Sequence, residues 1–213
     1  MTASDPLPVT DEADRETGPR LRVAATSRPI DVEAAEQAAG DFLRALGMDL
    51  RDPTIAGTPR RMASAFAELL TARDFNLTTF PNEEHYDELV LAREIPFTSV
   101  CEHHLLPFSG TAAVGYLPGS RILGLSKLAR VVEMFARRPQ VQERMTKQVA
   151  RWLDDHLKPR GVGVVLRAEH SCMTLRGVQA RGSETVTSAL LGLVREDPRT
   201  RSEFLALTQE TPR

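Results

Sequence analysis

The chain has 213 residues, of which 26% are charged and 41% hydrophobic, and its formal net charge is −2. These totals are typical of one globular domain with a tail, and nothing in them indicates a partner such as nucleic acid or a membrane. No apolar stretch approaches the ~20 residues of a membrane-spanning helix, and the amino terminus lacks the apolar core of a secretory signal. We therefore expect a cytoplasmic protein.

The first part of the chain predicts a tail followed by two helices. Residues 1–30 are rich in Asp, Glu, Thr, Pro and Arg without apolar periodicity, which predicts a disordered tail. Asp31 can cap a helix whose apolar residues recur up to Gly47, and Thr58 can cap a second helix with Pro59 at its first position. We expect a helical lead-in over residues 31–75.

The catalytic domain is expected over residues 31–207, with its core at 83–207 and a short tail at 208–213. Extended runs at 88–95, 110–116 and 121–123 predict a meander, and two helices follow, one opening at Ser126 and one across 141–153. Strands are then expected at 162–168 and 172–179, an extension of the sheet at 184–194 and a closing helix at 198–207. The order of strands, helices and strands predicts an α+β fold with an antiparallel sheet.

Both cysteines lie within two residues of a histidine. Cys101 and His104 have the spacing with which a turn can direct two side chains at one metal ion. His170 and Cys172 fall at a predicted strand end, where alternation with period two gives both side chains the same face. Each of these residues taken singly is more often a buried thiol or a surface histidine, but the four together favour a metal site.

Cys101, His104 and Cys172 would form a three-ligand site with the fourth position open, which is the catalytic pattern of zinc. Such a zinc lowers the pKa of bound water toward ~7. His103 and His170 remain unligated beside the metal, and histidine can move protons near neutral pH.

A second group of residues suits an anion. Ser126, Lys127 and Arg130 occupy the first turn of a predicted helix, where free N–H groups and the helix dipole favour phosphate. The alternative is an ordinary solvated basic turn. Gln142 and Glu143 have the donors and acceptors to bind a purine, although taken alone they are typical of a helix first turn.

The chain resembles the type I GTP cyclohydrolases from about residue 31 to 207. Four segments carry the resemblance in the right order: GTPRRMASAFAELL, FTSVCEHHLLPFSG, GYLPGSRILGLSKLARVVEMFARRPQVQERMTKQVA and EHSCMTLRGVQARGSETVTSALLGLVREDPRTRSEFL. The resemblance implies a tunnelling fold, with an antiparallel sheet, helices packed on one side and subunits joined into a ring. It also implies a homodecamer of two pentameric rings with active sites at subunit interfaces.

The resemblance further implies zinc-dependent hydrolysis of GTP to 7,8-dihydroneopterin triphosphate and formate, the first step of pterin biosynthesis. By position, the zinc ligands are Cys101, His104 and Cys172, and His103 and His170 transfer protons. Ser126 lies at the ribose. The remaining matched residues bind the triphosphate (Arg61, Lys127, Arg130, Arg176) or the guanine (Gln142, Glu143).

Two other classes of protein are weighed against this interpretation. Another tunnelling-fold enzyme, similar to pyruvoyl-tetrahydropterin synthase or nitrile reductase, would use a three-histidine zinc or a nucleophilic cysteine. A structural zinc module or ring-forming scaffold would show a closed four-ligand site, yet the chain has only two cysteines. Formate release from GTP distinguishes all three.

Overall fold

The structure is a computed structural model that describes residues 9–12, 20–23 and 29–209. Its helices are α1 Val32–Ala45, α2 Thr58–Leu69, α3 Ser126–Ala136, α4 Gln142–Leu157, α5 Ser171–Thr174, α6 Leu193–Glu196 and α7 Pro198–Leu207. Its strands are β1 Val9–Glu12, β2 Arg20–Val23, β3 Phe75–Leu77, β4 Thr79–Pro81, β5 Val90–Cys101, β6 Pro107–Leu117, β7 Arg121–Leu123, β8 Pro139–Gln140, β9 Gly161–His170 and β10 Thr185–Gly192. Within the described ranges, no helix is long and apolar enough to cross a lipid bilayer.

The two lead-in helices are present as expected, with one correction. The side chain of Asp31 accepts a hydrogen bond from the N–H of Ala34 at 2.9 Å and caps α1. Gly57, however, is the N-cap of α2, so the prediction of Thr58 as the cap is wrong. Thr58 is the first helical residue, and its hydroxyl accepts from the Arg61 guanidinium at 2.9 Å instead.

The predicted amino-terminal tail includes two segments that the structure describes as strands. β1 pairs with β2, and β2 pairs with β3, both antiparallel. At these two segments the backbone has strand pairing where the sequence predicted no regular structure, and the alternation of polar and apolar residues in β2 suits a strand. Residues 1–8, 13–19 and 24–28 of the predicted tail lie outside the described residues, as do 210–213 of the predicted carboxy-terminal tail.

A five-stranded sheet forms the centre of the chain, in the order β10, β9, β6, β5, β8. Its neighbouring strands run antiparallel, except that β5 pairs parallel with the two-residue β8. The apolar sides of α3 and α4 pack on one face of this sheet, around Val114, Tyr116, Val164 and Leu166. The α+β class with an antiparallel sheet is therefore confirmed.

The opposite face of the sheet also carries helix, so the expectation that helices pack on one side only is wrong. Ala113 and Val165 point away from α4 and are covered by Val194 of α6 and Phe204 of α7. The ring of Phe204 fits because Gly163 has no side chain: a Cβ at this position would lie 2.6 Å from the Phe204 Cζ atom. An apolar second face must be covered, and this carboxy-terminal helix pair covers it.

The predicted strand at 172–179 is also wrong. Residues Ser171–Thr174 form the helical turn α5, and the chain then turns through Gly177 (φ +62) and Gln179 (φ +50). Left-handed backbone at these positions does not fit a strand. β9 pairs with β6 on one side and on the other with β10, which falls within the predicted extension at 184–194.

The surroundings of Gly163 and Gly40 predict that a glycine-to-alanine change destabilises the protein at the first position and not at the second. Gly163→Ala should lower the free energy of unfolding by about 1–3 kcal/mol, because the added methyl group overpacks the ring. Gly40→Ala in α1 is the control, since its Cβ would meet only the flexible end of Arg44 at 3.4 Å and alanine favours helix. Urea unfolding of both variants measures the difference. A parental free energy of unfolding in Gly163→Ala would contradict the close packing of Phe204 on Gly163.

Candidate functional site

The site lies where the carboxyl ends of β5 and β9 meet the start of β6. The register puts Phe108 opposite His170 and Val100 opposite Pro107, so the residues that follow β5 and β9 share one end of the sheet. β8 adds Gln140 beside Cys101. Helix α4 begins at the same end, directly after β8.

A tight turn after β5 positions the first two candidate metal ligands. The Leu105 N–H donates to the Cys101 carbonyl at 2.8 Å, and the Cys101 N–H donates to the Leu106 carbonyl at 2.9 Å. This turn brings His104 Nδ1 within 3.9 Å of Cys101 Sγ. That distance is close to the edge of about 3.5 Å in a tetrahedron whose bonds are about 2.0–2.3 Å long.

Cys172 completes the group. Its Sγ atom and the ligand atoms of Cys101 and His104 all lie within 4.8 Å of one another. The group was expected from the sequence, but for Cys172 the reasoning was wrong: this residue lies in α5, so the helical turn rather than strand alternation brings it to the site. His103 Nδ1 is also 3.9 Å from Cys101 Sγ, yet His103 is not a member of the group.

The donor set fits a metal ion. Burial is the main cause that raises the pKa of the Cys172 thiol, and the neighbouring Cys101 raises it further. A thiol that resists ionisation becomes a stable thiolate when a cation lies beside it. Among the described residues the group holds three donors, which leaves a fourth tetrahedral position open for water or substrate.

His170 is held on two sides next to this group. Its ring stacks on Phe108, with 4.4 Å between ring centroids and 5° between planes. Its Nε2 atom lies 2.7 Å from the side-chain oxygen of Gln142. Burial lowers the pKa of His170, and the charge of Glu143 opposes that shift. His170 is therefore fixed in position, and its pKa is set by burial and by the opposing charge of Glu143.

Gln142 and Glu143 were expected to bind a base together, and the structure places them in different surroundings. Gln142 is 1% exposed, and its amide nitrogen donates to the carbonyl oxygens of Leu166 at 3.2 Å and Thr185 at 2.9 Å. Glu143, the next residue along α4, is exposed. Only Glu143 presents a side chain that a ligand can reach without breaking protein hydrogen bonds.

The residues expected to bind phosphate divide into two places. Ser126 and Arg130 line one cleft beside α3, and Lys127 and Arg130 line a second cleft of about 500 Å³. No residue of the metal group lines either cleft. Arg176 lies instead near Cys172, where its charge opposes the rise that burial causes in the pKa of that thiol.

Arg61 is placed apart from the other expected phosphate ligands. It is exposed on α2, and its guanidinium donates to Thr58 within the same helix. The described residues thus do not bring together all the expected ligands of a triphosphate within one chain.

Two groups of ion pairs support the site, and the sequence did not indicate which residues pair. Glu133 accepts hydrogen bonds from Arg73 at 2.7 Å and Arg130 at 2.9 Å, and these outweigh burial so that the pKa of Glu133 lies below its ordinary value. Arg144 pairs with Glu102 in the turn after β5 and lowers the pKa of that carboxyl. No spacing signal joins Arg73 to Glu133 or Glu102 to Arg144, because each pair meets only in the folded chain.

Fold and site together define an α+β protein with three donors that could hold a metal ion. A family model described as GTP cyclohydrolase I matches residues 35–209. The chain therefore belongs to the GTP cyclohydrolase I family, as the sequence resemblance predicted.

Individual relatives agree with the family match. The chain is 47% identical over 180 residues to GTP cyclohydrolase 1 of Aquifex aeolicus, covering 84% of this chain and 98% of that protein. The identity to GTP cyclohydrolase 1 of Thermobifida fusca is 50%, covering 84% and 88%, and to that of Rattus norvegicus 48%, covering 78% and 70%. A solved structure of apo archaeosine synthase QueF-Like aligns with a TM-score of 0.41 and 19% identity over 49% of this chain and 93% of that chain, too little to bear on the fold.

The geometry of the metal group predicts which substitutions remove the metal. Cys101→Ala, His104→Ala and Cys172→Ala should each lose most of the bound metal, because three donors leave no spare ligand. His103→Ala is the matched control, since this neighbouring histidine lies outside the group, and it should keep a full complement. Elemental analysis of the purified variants measures the metal. A full complement in Cys172→Ala would remove that residue from the ligand set.

Proposed function

We propose that this chain hydrolyses GTP to 7,8-dihydroneopterin triphosphate and formate, the first step of pterin biosynthesis. The supporting observation is the convergence of Cys101, His104 and Cys172 beside His170 in a member of the GTP cyclohydrolase I family. The reaction balances with water alone. One water opens the purine imidazole at C8 to a formamide, a second releases formate, and a water leaves when the rearranged ribose carbons close the new ring.

The proposed metal is Zn²⁺. Two thiolates and one imidazole with an open fourth position are a donor set that suits zinc. When bound, zinc acts as a Lewis acid and lowers the pKa of water toward ~7, which supplies the nucleophile for hydrolysis. Cys101 and Cys172 are free thiols, as such a site requires, and this supports a reducing compartment such as the cytoplasm.

His170 is proposed to move a proton at the opening imidazole. Its ring is already oriented by Phe108 and Gln142, so no rotation has to precede proton transfer. His103 is exposed beside Cys101 and is proposed, with Ser126, to assist opening of the ribose ring in the later rearrangement.

The base and the triphosphate are proposed to bind at different residues. The exposed carboxylate of Glu143 can accept hydrogen bonds from the ring and exocyclic N–H groups of guanine. Gln142 could read the base only by giving up its bonds to Leu166 and Thr185. The triphosphate is assigned to the cations on α3, α2 and the loop after α5: Lys127, Arg130, Arg61 and Arg176.

A homo-oligomeric ring of the tunnelling-fold type, and a decamer of two such rings, are proposed for the assembly. The expected phosphate ligands Lys127 and Arg130 line clefts that contain no residue of the metal group, and this supports the proposal that a second copy combines them. Leu125 lies next to α3 at the clefts, and Leu175 and Val178 follow α5 near the metal group. All three are 67–74% exposed, and such apolar exposure favours an interface. Of the described strands, only β9 pairs with β10, whose other edge is free to join a neighbouring sheet.

The decisive test of the function is formate release from GTP by the zinc-loaded protein, with the pterin product identified by fluorescence after oxidation. His170→Ala should keep its zinc and lose turnover by ~10²–10⁴-fold, the range for a general acid or base. His103→Ala should also keep zinc, but accumulate the formamide, because its assigned steps come later. Parental turnover in His170→Ala would exclude the proton-transfer role, and no formate from the parent protein would exclude the function.

The cations should act on the triphosphate and not on the base. Lys127→Ala and Arg176→Ala should each weaken GTP binding by about tenfold or more, because a charge-assisted hydrogen bond contributes about 1.5–3 kcal/mol. Binding of guanosine should be unchanged. Lys147→Ala, which removes an exposed cation from α4, serves as the control for a general change of charge. Calorimetry with both ligands tests the assignment of these cations to the triphosphate. The assignment is wrong if the affinities for GTP and guanosine fall equally.

A further inference from the structure

Two threonine hydroxyls lie behind Gln142, on the side away from His170. Thr187 of β10 lies 3.1 Å from the Gln142 amide nitrogen, and Thr146 of α4 lies 2.7 Å from Thr187, measured between hydroxyl oxygens. Thr146 is 1% exposed and Thr187 is partly buried. Neither residue is within the matched metal, base or phosphate positions.

The Gln142 amide has a single possible orientation. Its nitrogen faces the carbonyl oxygens of Leu166 and Thr185, and a backbone carbonyl can only accept a hydrogen bond. Rotating the amide by half a turn would place its oxygen against these two carbonyl oxygens, so that two hydrogen bonds would be replaced by two repulsive contacts. The amide oxygen therefore faces His170.

The two hydroxyl hydrogens are also determined. Thr146 Oγ1 lies 2.7 Å from the Gln142 carbonyl, which can only accept, so Thr146 donates its one hydrogen there. The bond between the two threonines must then be donated by Thr187. The lone pairs of Thr187 Oγ1 then accept from the Gln142 amide, whose two hydrogens are shared among this hydroxyl and the carbonyl oxygens of Leu166 and Thr185. The chain of donors runs from Gln142 to Thr187, to Thr146 and back to the backbone of Gln142.

This series of hydrogen bonds determines which ring nitrogen of His170 carries hydrogen. Because Gln142 Oε1 can only accept, the hydrogen between it and His170 Nε2, 2.7 Å away, belongs to the histidine. The stacked Phe108 ring fixes the plane in which that N–H points. Nδ1 is then the ring nitrogen that remains for the reaction.

We propose that Thr187 and Thr146 are positioning residues: by fixing the Gln142 amide they hold His170 in one orientation and in the tautomer with hydrogen on Nε2. This inference rests on the proposed function, since it assigns the support of the proton-transferring histidine. It also gives Gln142 a role distinct from reading the guanine, because no amide hydrogen is left for a base carbonyl.

Three variants test the proposal in the zinc-loaded enzyme. Thr187→Val keeps the shape of the side chain and removes its hydroxyl, Thr187→Ser restores the hydroxyl, and Thr111→Val makes the same change on the other face of the sheet. Thr187→Val should lower kcat by about tenfold, the effect of losing one buried hydrogen bond, with KM for GTP within about twofold of the parent. Thr187→Ser should recover most of the loss, and Thr111→Val should match the parent in kcat.

Three outcomes would overturn the proposal. They are a parental kcat in Thr187→Val, an equal loss in Thr187→Ser, and a raised KM with kcat unchanged. The last result would mean that the chain supports binding of the base rather than the histidine.

A measurement on the parent protein keeps the test independent of the folding of the threonine variants and of activity. Nitrogen-15 NMR of histidine-labelled, zinc-loaded protein in mildly alkaline buffer shows which ring nitrogen of His170 carries hydrogen, with the resonance assigned by its loss in His170→Ala. Hydrogen on Nε2 supports the proposal, and hydrogen on Nδ1 overturns it. If the parent protein releases no formate, the proposed function fails. The spectrum still shows whether His170 has the tautomer that the hydrogen bonds predict.

Discussion

The register between β6 and β9 is the constraint on which both the site and the fold depend. At one end of this strand pair it puts Phe108 opposite His170, and at the other it puts Gly115 opposite Gly163, where the ring of Phe204 packs. A slip of one residue would turn every side chain of β9 to the other face of the sheet. The same ladder thus orients the histidine and admits the helix that covers the second face.

Buried polar groups tie the helix layer to this ladder. Gln142 begins α4, yet its side chain bonds to the backbone of β9 and β10 and to His170. Leaving any of these groups unpaired would cost about 1–3 kcal/mol. The buried amide therefore determines the position of the first turn of α4 relative to β9 and β10. The precision of the site therefore comes from a residue that a ligand does not need to touch. That arrangement suits proton transfer, in which small errors of position are costly.

Some of the site could be read from local spacing, and some could not. Cys101 and His104 are three apart, and a turn of that length brings their ligand atoms together whatever surrounds it. Cys172 reaches the same point through the helical turn α5, although alternation in a strand had been the reason to expect it there. The sequence could not indicate that the Gln142 amide bonds to Leu166 and Thr185, because these partners come from β9 and β10, distant in the sequence.

By itself the sequence determined the α+β class, most helices and strands, and the pairing of Cys101 with His104, because periodicity, caps and spacing act over a few residues. The family followed from the resemblance of four segments. Tertiary structure alone decided that helices cover both faces of the sheet and that Glu133 joins Arg73 to Arg130. It also decided the orientation of His170. These features depend on contacts between segments far apart in the chain, and a hydrogen bond or a packed ring exists only when the fold has brought both partners within reach.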